Sequence, residues 1–325
     1  MMKVIFVQTA HKASDDRVFY HQEPSLRKFG YQTAILSTAG NYSSFREERR
    51  AIRQFLHEQN ADYVICDTPK AVLSTVGSHT KIIYDVTEWY PSKKNLRHRG
   101  WRTPFFAIAM LLLNFLAGCF AYSFIFGEKD KAKPFFFFFW KKRILLPYYP
   151  TLRLFEKTHY RAPKQSCRIL YAGPLTQEKG WERVQQTIAL CREQRPDISF
   201  ELLTLSPEQY MELPDFCQFI QSMNICLDLR DIDIENTRCL PIKLFYYMAA
   251  GKPVVYSRLK AIGHQVPEIQ EWGTLVCSAE EASAAILHYM DEPKVWLAAA
   301  QKGYQLFVEK YNWEKIENRL FKLIR

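Results

Sequence analysis

The sequence has no pair of cysteines at metal or redox spacing. Its eight cysteines, Cys66, Cys119, Cys167, Cys191, Cys217, Cys226, Cys239 and Cys277, are scattered, with no C-x-x-C pair and no Cys/His cluster. That pattern predicts free thiols in a reducing cytosol rather than a disulfide framework or a zinc site. No internal repeat and no low-complexity tract is found, apart from five consecutive phenylalanines, Phe135 to Phe139. The apolar stretch that ends at Gln8-Thr9 is too short for a signal-peptide core and lacks a cleavage site, so export is not expected. The first half is also short of acid. Residues 1–150 carry 22 Lys+Arg against 12 Asp+Glu, whereas residues 151–325 carry 22 of each. The whole formal charge of +10 therefore lies in the first half. Such asymmetry implies an anionic partner there: a membrane surface, a nucleic acid or an acidic substrate. No nucleic-acid motif accompanies the charge, which sets nucleic acid aside.

What remains is ordinary for a globular protein. The chain has 325 residues, 48% of them apolar and 24% charged, which excludes disorder and collagen. The length suggests two domains, each able to bury a core without disulfides. Short apolar runs alternate with helical patterns: Val4–Val7, Thr33–Leu36, Tyr63–Cys66 and Lys81–Tyr84 read as strands, and residues 44–58 as an amphipathic helix. Pro24 must start or kink the helix that precedes Gly30. The second half repeats the pattern with strands at Arg168–Tyr171, Phe200–Leu203, Asn224–Leu227 and Pro253–Tyr256. Strands apolar throughout and separated by helices indicate parallel sheets covered on both faces. Pro147, Pro150 and Pro163 mark a linker. The expected fold class is α/β, with two Rossmann-like doubly wound domains facing a cleft, residues 1–150 and 151–311. Ligands of such sheets bind beyond the carboxyl ends of the strands.

Residues 104–126 form a run of 23 without a charge, 19 of them apolar. The length suffices for a bilayer span. A crossing is not expected, because the basic flanks give no orientation and a span would put parts of one sheet on opposite sides of a membrane. Those flanks, residues 91–102 and 128–143, contribute +5 and +4. Five adjacent phenylalanines cannot all face one core, so some are expected at the surface. Beside Lys141, Lys142 and Arg143 they suit a headgroup interface. The competing reading is a buried helix followed by a strand from Tyr122 to Phe126, with the basic face in solvent.

Two motifs in the second half carry chemistry. Tyr171-Ala-Gly173-Pro-Leu-Thr-Gln-Glu-Lys179-Gly180 is a strand end, a glycine turn and a Lys-Gly pair opening a helix. Pro241-Ile-Lys243-Leu-Phe-Tyr246-Tyr247-Met-Ala-Ala-Gly251-Lys-Pro-Val-Val255 is a helix begun by proline, stopped by glycine and followed by a buried strand. These resemble the donor-binding domain of the family-4 glycosyltransferases, retaining enzymes of the GT-B fold. Asp15-Asp16-Arg17-Val18, Gly30-Tyr31, the Tyr84–Pro91 stretch and Leu146-Pro147 also sit in family order. The resemblance covers nearly the whole chain. It implies that Lys179 contacts the leaving diphosphate and that Glu88 and Asp15 serve the acceptor side as catalytic residues, with His11 and Arg17 nearby. It also implies donor binding by Gly173, Lys179, Arg230, Arg238, Lys243 and Tyr246. GT-B chains commonly end in a helix that returns to the first domain, here residues 312–325.

The physical reading runs in parallel. A nucleotide-sugar diphosphate carries about two negative charges, which helix N-termini and lysines attract. The departures from the family pattern are specific. The glutamate that grips the donor ribose is replaced by Tyr246, and its companion by Arg238. The phosphate-binding arginine after Gly173 is replaced by Pro174, and a histidine near Glu88 by Thr87. The acidic run Asp228, Asp231, Asp233 and Glu235 reads as a polar loop at the cleft, within reach of sugar hydroxyls. The resemblance implies that protein groups hold the diphosphate, so no metal and no cofactor beyond the donor substrate is expected. The expected partners are a nucleotide-sugar donor, a lipid-linked or glycan acceptor of cell-surface polysaccharide synthesis, and the anionic inner face of the plasma membrane. The alternative is a catalytically degenerate GT-B protein acting as a binding or partner subunit.

Overall fold

The computed structural model describes residues 2–88, 91, 96, 100–155, 158, 160–206, 209 and 211–324. Trp89, Tyr90 and most of the basic flank 91–102 lie outside the described residues. The chain divides into two compact units, one of residues 1–148 with 316–325 and one of residues 149–315.

The first unit is built on a six-stranded sheet, β1 (Lys3–Gln8), β2 (Gln32–Ser37), β3 (Tyr63–Cys66), β4 (Lys81–Val86), β5 (Ser123–Phe126) and β6 (Lys142–Leu145), in the order β2-β1-β3-β4-β5-β6. Every pairing is parallel. The inner strands β3 and β5 are buried at every residue, as strands covered on both faces must be. The sequence pattern did not single out β6, because an edge strand tolerates exposed Lys142 and Arg143. Ser44 caps the helix Phe45–Glu58 by accepting from the Glu47 amide, and Thr68 caps Pro69–Thr75 through the Ala71 amide. A π-turn, Val18–Gln22, leads into the helix Glu23–Lys28, which carries Pro24 in its first turn. The preceding π-helical turn is continuous with this helix, so Pro24 withholds an N–H within one helical stretch.

The apolar run forms the helix Thr103–Phe120, the crossover between β4 and β5. Only Asn114, Ala117 and Gly118 of it are buried. The buried-helix expectation therefore fails for most of its surface: Phe105, Leu112 and Phe120 are 67%, 63% and 47% exposed. Phe135 to Phe138 close a 3-10 segment, Asp130–Phe138. Positions three apart share a face in that geometry, so Phe135 and Phe138 pack on Phe124. Phe136, Phe137, Phe139 and Trp140 are left exposed.

The second unit holds a five-stranded parallel sheet, β7 (Ser166–Ala172), β8 (Ser199–Leu205), β9 (Ile225–Asp228), β10 (Val254–Ser257) and β11 (Gly273–Val276), ordered β11-β10-β9-β7-β8. The chain end is not one long helix. A 3-10 turn at Trp313–Lys315 precedes a short helix, Asn318–Phe321. Glu317 accepts from Ser25 Oγ at 2.8 Å and pairs with Lys28 at 2.6 Å. The Phe321 ring packs tilted against Phe29, with centroids 3.8 Å apart. Buried Leu320, Leu323 and Ile324 add about 1.5–3 kcal/mol of apolar burial each.

Candidate active site

At the carboxyl ends of β7 and β9, a cavity of about 230 Å³ opens in the second unit. Gly173, Lys179, Arg230 and Lys243 line it together, with Tyr171, Asp228 and Tyr247. Four of the six residues expected to bind the donor thus share one cavity.

Backbone geometry places each of them. Gly180 takes a left-handed φ of +80°, and a Cβ there would lie 1.8 Å from the Leu229 carbonyl oxygen. Only glycine permits that approach, so Lys179 is carried to the β9 loop. Its Nζ donates to Asn236 Oδ1 at 2.8 Å. Asn236 is buried, and its Nδ2 donates to the carbonyls of Glu178 and Asp231. Gly173 leaves room for the Lys243 ammonium, which would stand 3.1 Å from a Cβ. That ammonium donates to the Ala172 carbonyl. Burial lowers the Lys243 pKa to about 8; Asp228 opposes the shift, and the nearby charges of Arg230 and Lys179 add to it. Arg230 binds Asp228 through Nε at 2.9 Å, leaving three cations and one carboxylate around the cavity.

The remaining two expected residues lie elsewhere. Tyr246 is buried between Phe155 and Phe216, at centroid distances of 6.3 and 5.9 Å, and does not line this cavity. Tyr247, four residues after Lys243, shares that helix face and does line it. Arg238 is exposed at the end of the helix Ile234–Arg238. The sequence reading put Asp228 in a polar loop at the cleft, and it missed Tyr171 and Asn236. Strand ends at the carboxyl edge pointed to Asp228 and Tyr171. No spacing rule marked Asn236, whose role depends on a loop closing over Lys179.

The acidic run divides into separate duties. Asp228 holds Arg230, Asp231 holds Arg183, and Asp233 caps the helix by accepting from the Glu235 and Asn236 amides. Among the described residues, no group of three or more His, Cys, Asp or Glu is placed to hold a metal.

In the first unit, Arg17 is buried at the carboxyl edge. Its Nη1 donates to Tyr148 Oη at 2.8 Å and lies 3.5 Å from Asp85, and its Nε lies 3.6 Å from Asp15. Burial disfavours its charge, but Asp85, Tyr148 and Asp15 outweigh that and raise its pKa. Burial raises the Asp85 pKa, with Arg17 and Gln22 opposing. Asp15 is therefore half-buried beside a structural guanidinium. His11 Nδ1 lies 2.9 Å from Asp67 Oδ2, a bond that raises the imidazole pKa. Glu88 lines a small cavity under the helix Thr103–Phe120 with Asn114 and Lys131.

Residues 164–322 match the glycosyl transferase-like family model. No curated protein matches the sequence significantly. Among solved structures the chain is similar to sucrose-phosphate synthase from Thermosynechococcus elongatus, at 13% identity and a TM-score of 0.70, over all of this chain and 98% of that one. It is similar to a glycosyltransferase from Rickettsia africae at 9% identity and 0.68, over 100% and 99%. It is also similar to Anabaena HepE in complex with UDP-glucose, at 13% identity and 0.66, over 100% and 99%. The two parallel sheets are those of the GT-B fold. The family model covers residues 164–322 alone, and the solved structures show the fold.

Proposed function

We propose that this protein transfers a sugar from a nucleoside-diphosphate donor, bound in the cavity of the second unit, to a membrane-associated glycan or glycolipid of cell-surface polysaccharide synthesis. The observation that carries the donor site is the convergence of Lys179, Arg230 and Lys243 on one cavity. Their charge, less that of Asp228, suits a diphosphate of about two negative charges. As the glycosidic bond breaks, charge builds on the departing diphosphate. Fixed cations in a half-buried site then stabilise the transition state more than the ground state. Because HepE binds UDP-glucose, a uridine donor is the first to test. The family-4 resemblance supports retention of configuration, with Asp15 and Glu88 on the acceptor side; the anomer of the product tests that assignment.

The membrane part of the reading rests on the first unit. Trp101, Phe105, Leu112, Phe139 and Trp140 are all more than 60% exposed. Monomeric soluble proteins rarely show so many large apolar side chains together. Lys129, Lys133, Lys142 and Arg143 are exposed nearby in sequence, so apolar insertion and anionic headgroups are served by one segment. The helix is long and apolar enough to cross a bilayer, but it links β4 to β5, which pair in register from Ile83–Ser123 to Val86–Phe126. That pairing speaks against a crossing, and in this reading the helix lies along the cytoplasmic face of the membrane as a peripheral anchor.

The substituted positions Pro174, Arg238 and Tyr246 favour a second reading, a GT-B protein that binds donor without turning it over. A panel of nucleoside diphosphates in a thermal-shift assay, followed by transfer from a labelled donor to a membrane extract, separates the two. At a hundredfold excess over Kd, a true donor nucleotide adds about 2.7 kcal/mol of stability. Absence of any shift contradicts the donor site, and a shift without transfer selects the second reading.

A further inference from the structure

The second unit has another cavity, of about 700 Å³, at the amino end of the same sheet. Arg168 near the start of β7, Asn224 just before β9 and Lys252 just before β10 line it. The donor cavity lies beyond the opposite, carboxyl ends of β7 and β9.

Lys252 is the unusual residue. The helix Lys243–Ala249 ends in a left-handed Gly251, φ +60°, and the Gly251 and Lys252 amides donate back to the Met248 and Tyr247 carbonyls. This closing motif turns Lys252 inward. The side chain is 2% exposed. It makes no hydrogen bond or ion pair with any described residue, and its Nζ stands 6.0 Å from the Trp296 ring centroid. A buried ammonium without an acceptor is costly, and burial lowers its pKa to about 8. Methionine would fill the same volume without that penalty. Arg161, Lys164 and Arg168 also line the cavity, and no described lining residue is acidic. Arg161 and Lys164 are exposed at its rim, and Arg168 is held by Glu201 and the Ser222 carbonyl.

We propose that this cavity is a second anion site that takes the phosphate group of a small phosphorylated molecule, with Lys252 Nζ as its central donor and Arg161 and Lys164 at its rim. The single buried amine fixes one phosphate group, and a single central cation suits a sugar phosphate or free phosphate rather than a polyanion. The site is independent of the donor cavity, since none of its residues lines that cavity.

Calorimetric titration of the full chain tests this, with inorganic phosphate and separately glucose 6-phosphate, at ionic strength held constant with sodium chloride. Saturable binding is expected for at least one probe. A preference for glucose 6-phosphate identifies a phosphorylated metabolite, and equal binding identifies the phosphate alone. Lys252→Met should lose about tenfold or more in affinity, the scale of one charged hydrogen bond, with an unchanged or higher melting temperature. Arg161→Gln with Lys164→Gln should weaken binding several-fold and, being exposed, decides the matter should Lys252→Met not fold. Lys179→Ala changes the donor cavity alone, so the part of the binding that Lys252→Met removes should persist in it. Absence of saturable binding, or binding kept in Lys252→Met and lost in Lys179→Ala, overturns the proposal.

Discussion

Gly180 approaches the Leu229 carbonyl so closely that a Cβ on Gly180 would overlap the oxygen at 1.8 Å. Lys179 owes its position to that approach. Gly180→Ala combines a left-handed backbone penalty with a backbone overlap, and should cost about 2–4 kcal/mol. Urea denaturation should show a lower midpoint with a similar slope, and the folded fraction should bind nucleoside diphosphates more weakly. Wild-type stability in Gly180→Ala would mean that the loop is not held as described.

Lys243 makes donor binding pH-dependent. Its folded pKa, lowered to about 8 chiefly by burial, lies below the ordinary 10.5. Between those values the unfolded chain binds a proton that the folded chain does not. The contribution of Lys243 to stability therefore rises with pH through that window and is flat below it. A bound diphosphate favours the charged amine, so affinity should fall as pH rises above about 8 and binding should take up protons. Titrations in two buffers of different ionisation enthalpy measure the uptake. Affinity constant from pH 7 to 9.5 would contradict the assignment, as would a pH dependence that persists in Lys243→Ala.

Tyr246 and Tyr247 should behave differently although adjacent. Tyr246 fills a space between Phe155 and Phe216, so Tyr246→Ala should cost about 3 kcal/mol or more in stability. Its effect on donor KM at a temperature where the variant is folded should stay within about twofold. A large rise in KM without loss of stability would return Tyr246 to the donor site.

Membrane attachment should depend on both ring insertion and charge. The protein should float with vesicles rich in anionic lipid and release partly in high salt, since exposed charges are screened within about 8 Å. Phe139→Ser with Trp140→Ser should weaken flotation at any salt. Lys142→Gln and Arg143→Gln should each cost up to about 1 kcal/mol. Lys141 is the wrong residue for that test. It donates to the Gly118 and Cys119 carbonyls at the end of the helix, so Lys141→Gln should reduce stability. Retention that yields only to detergent would point to a spanning helix.

Much of this architecture is legible in the sequence. Buried parallel strands are continuous apolar runs, so β1, β3, β7 and β10 stand out. Edge strands carry charge or lack length, which hid β6 and β11. The Lys179-Gly180 and Lys243 positions were readable because the motifs that hold them resemble a donor-binding domain; taken alone, each pattern fits a surface lysine equally well. Helical phase, rather than adjacency, decided between Tyr246 and Tyr247, and burial against Phe155 depends on packing that no local pattern displays. Asn236 and the inward turn of Lys252 were hidden for the same reason.

The most direct test is sugar transfer from a labelled nucleotide sugar to a membrane extract, with Lys179→Ala compared against the wild type. Loss of one cation from the leaving diphosphate should lower kcat about a hundredfold or more, with a smaller rise in donor KM. Full activity in Lys179→Ala would contradict the donor-site assignment and the functional account built on it.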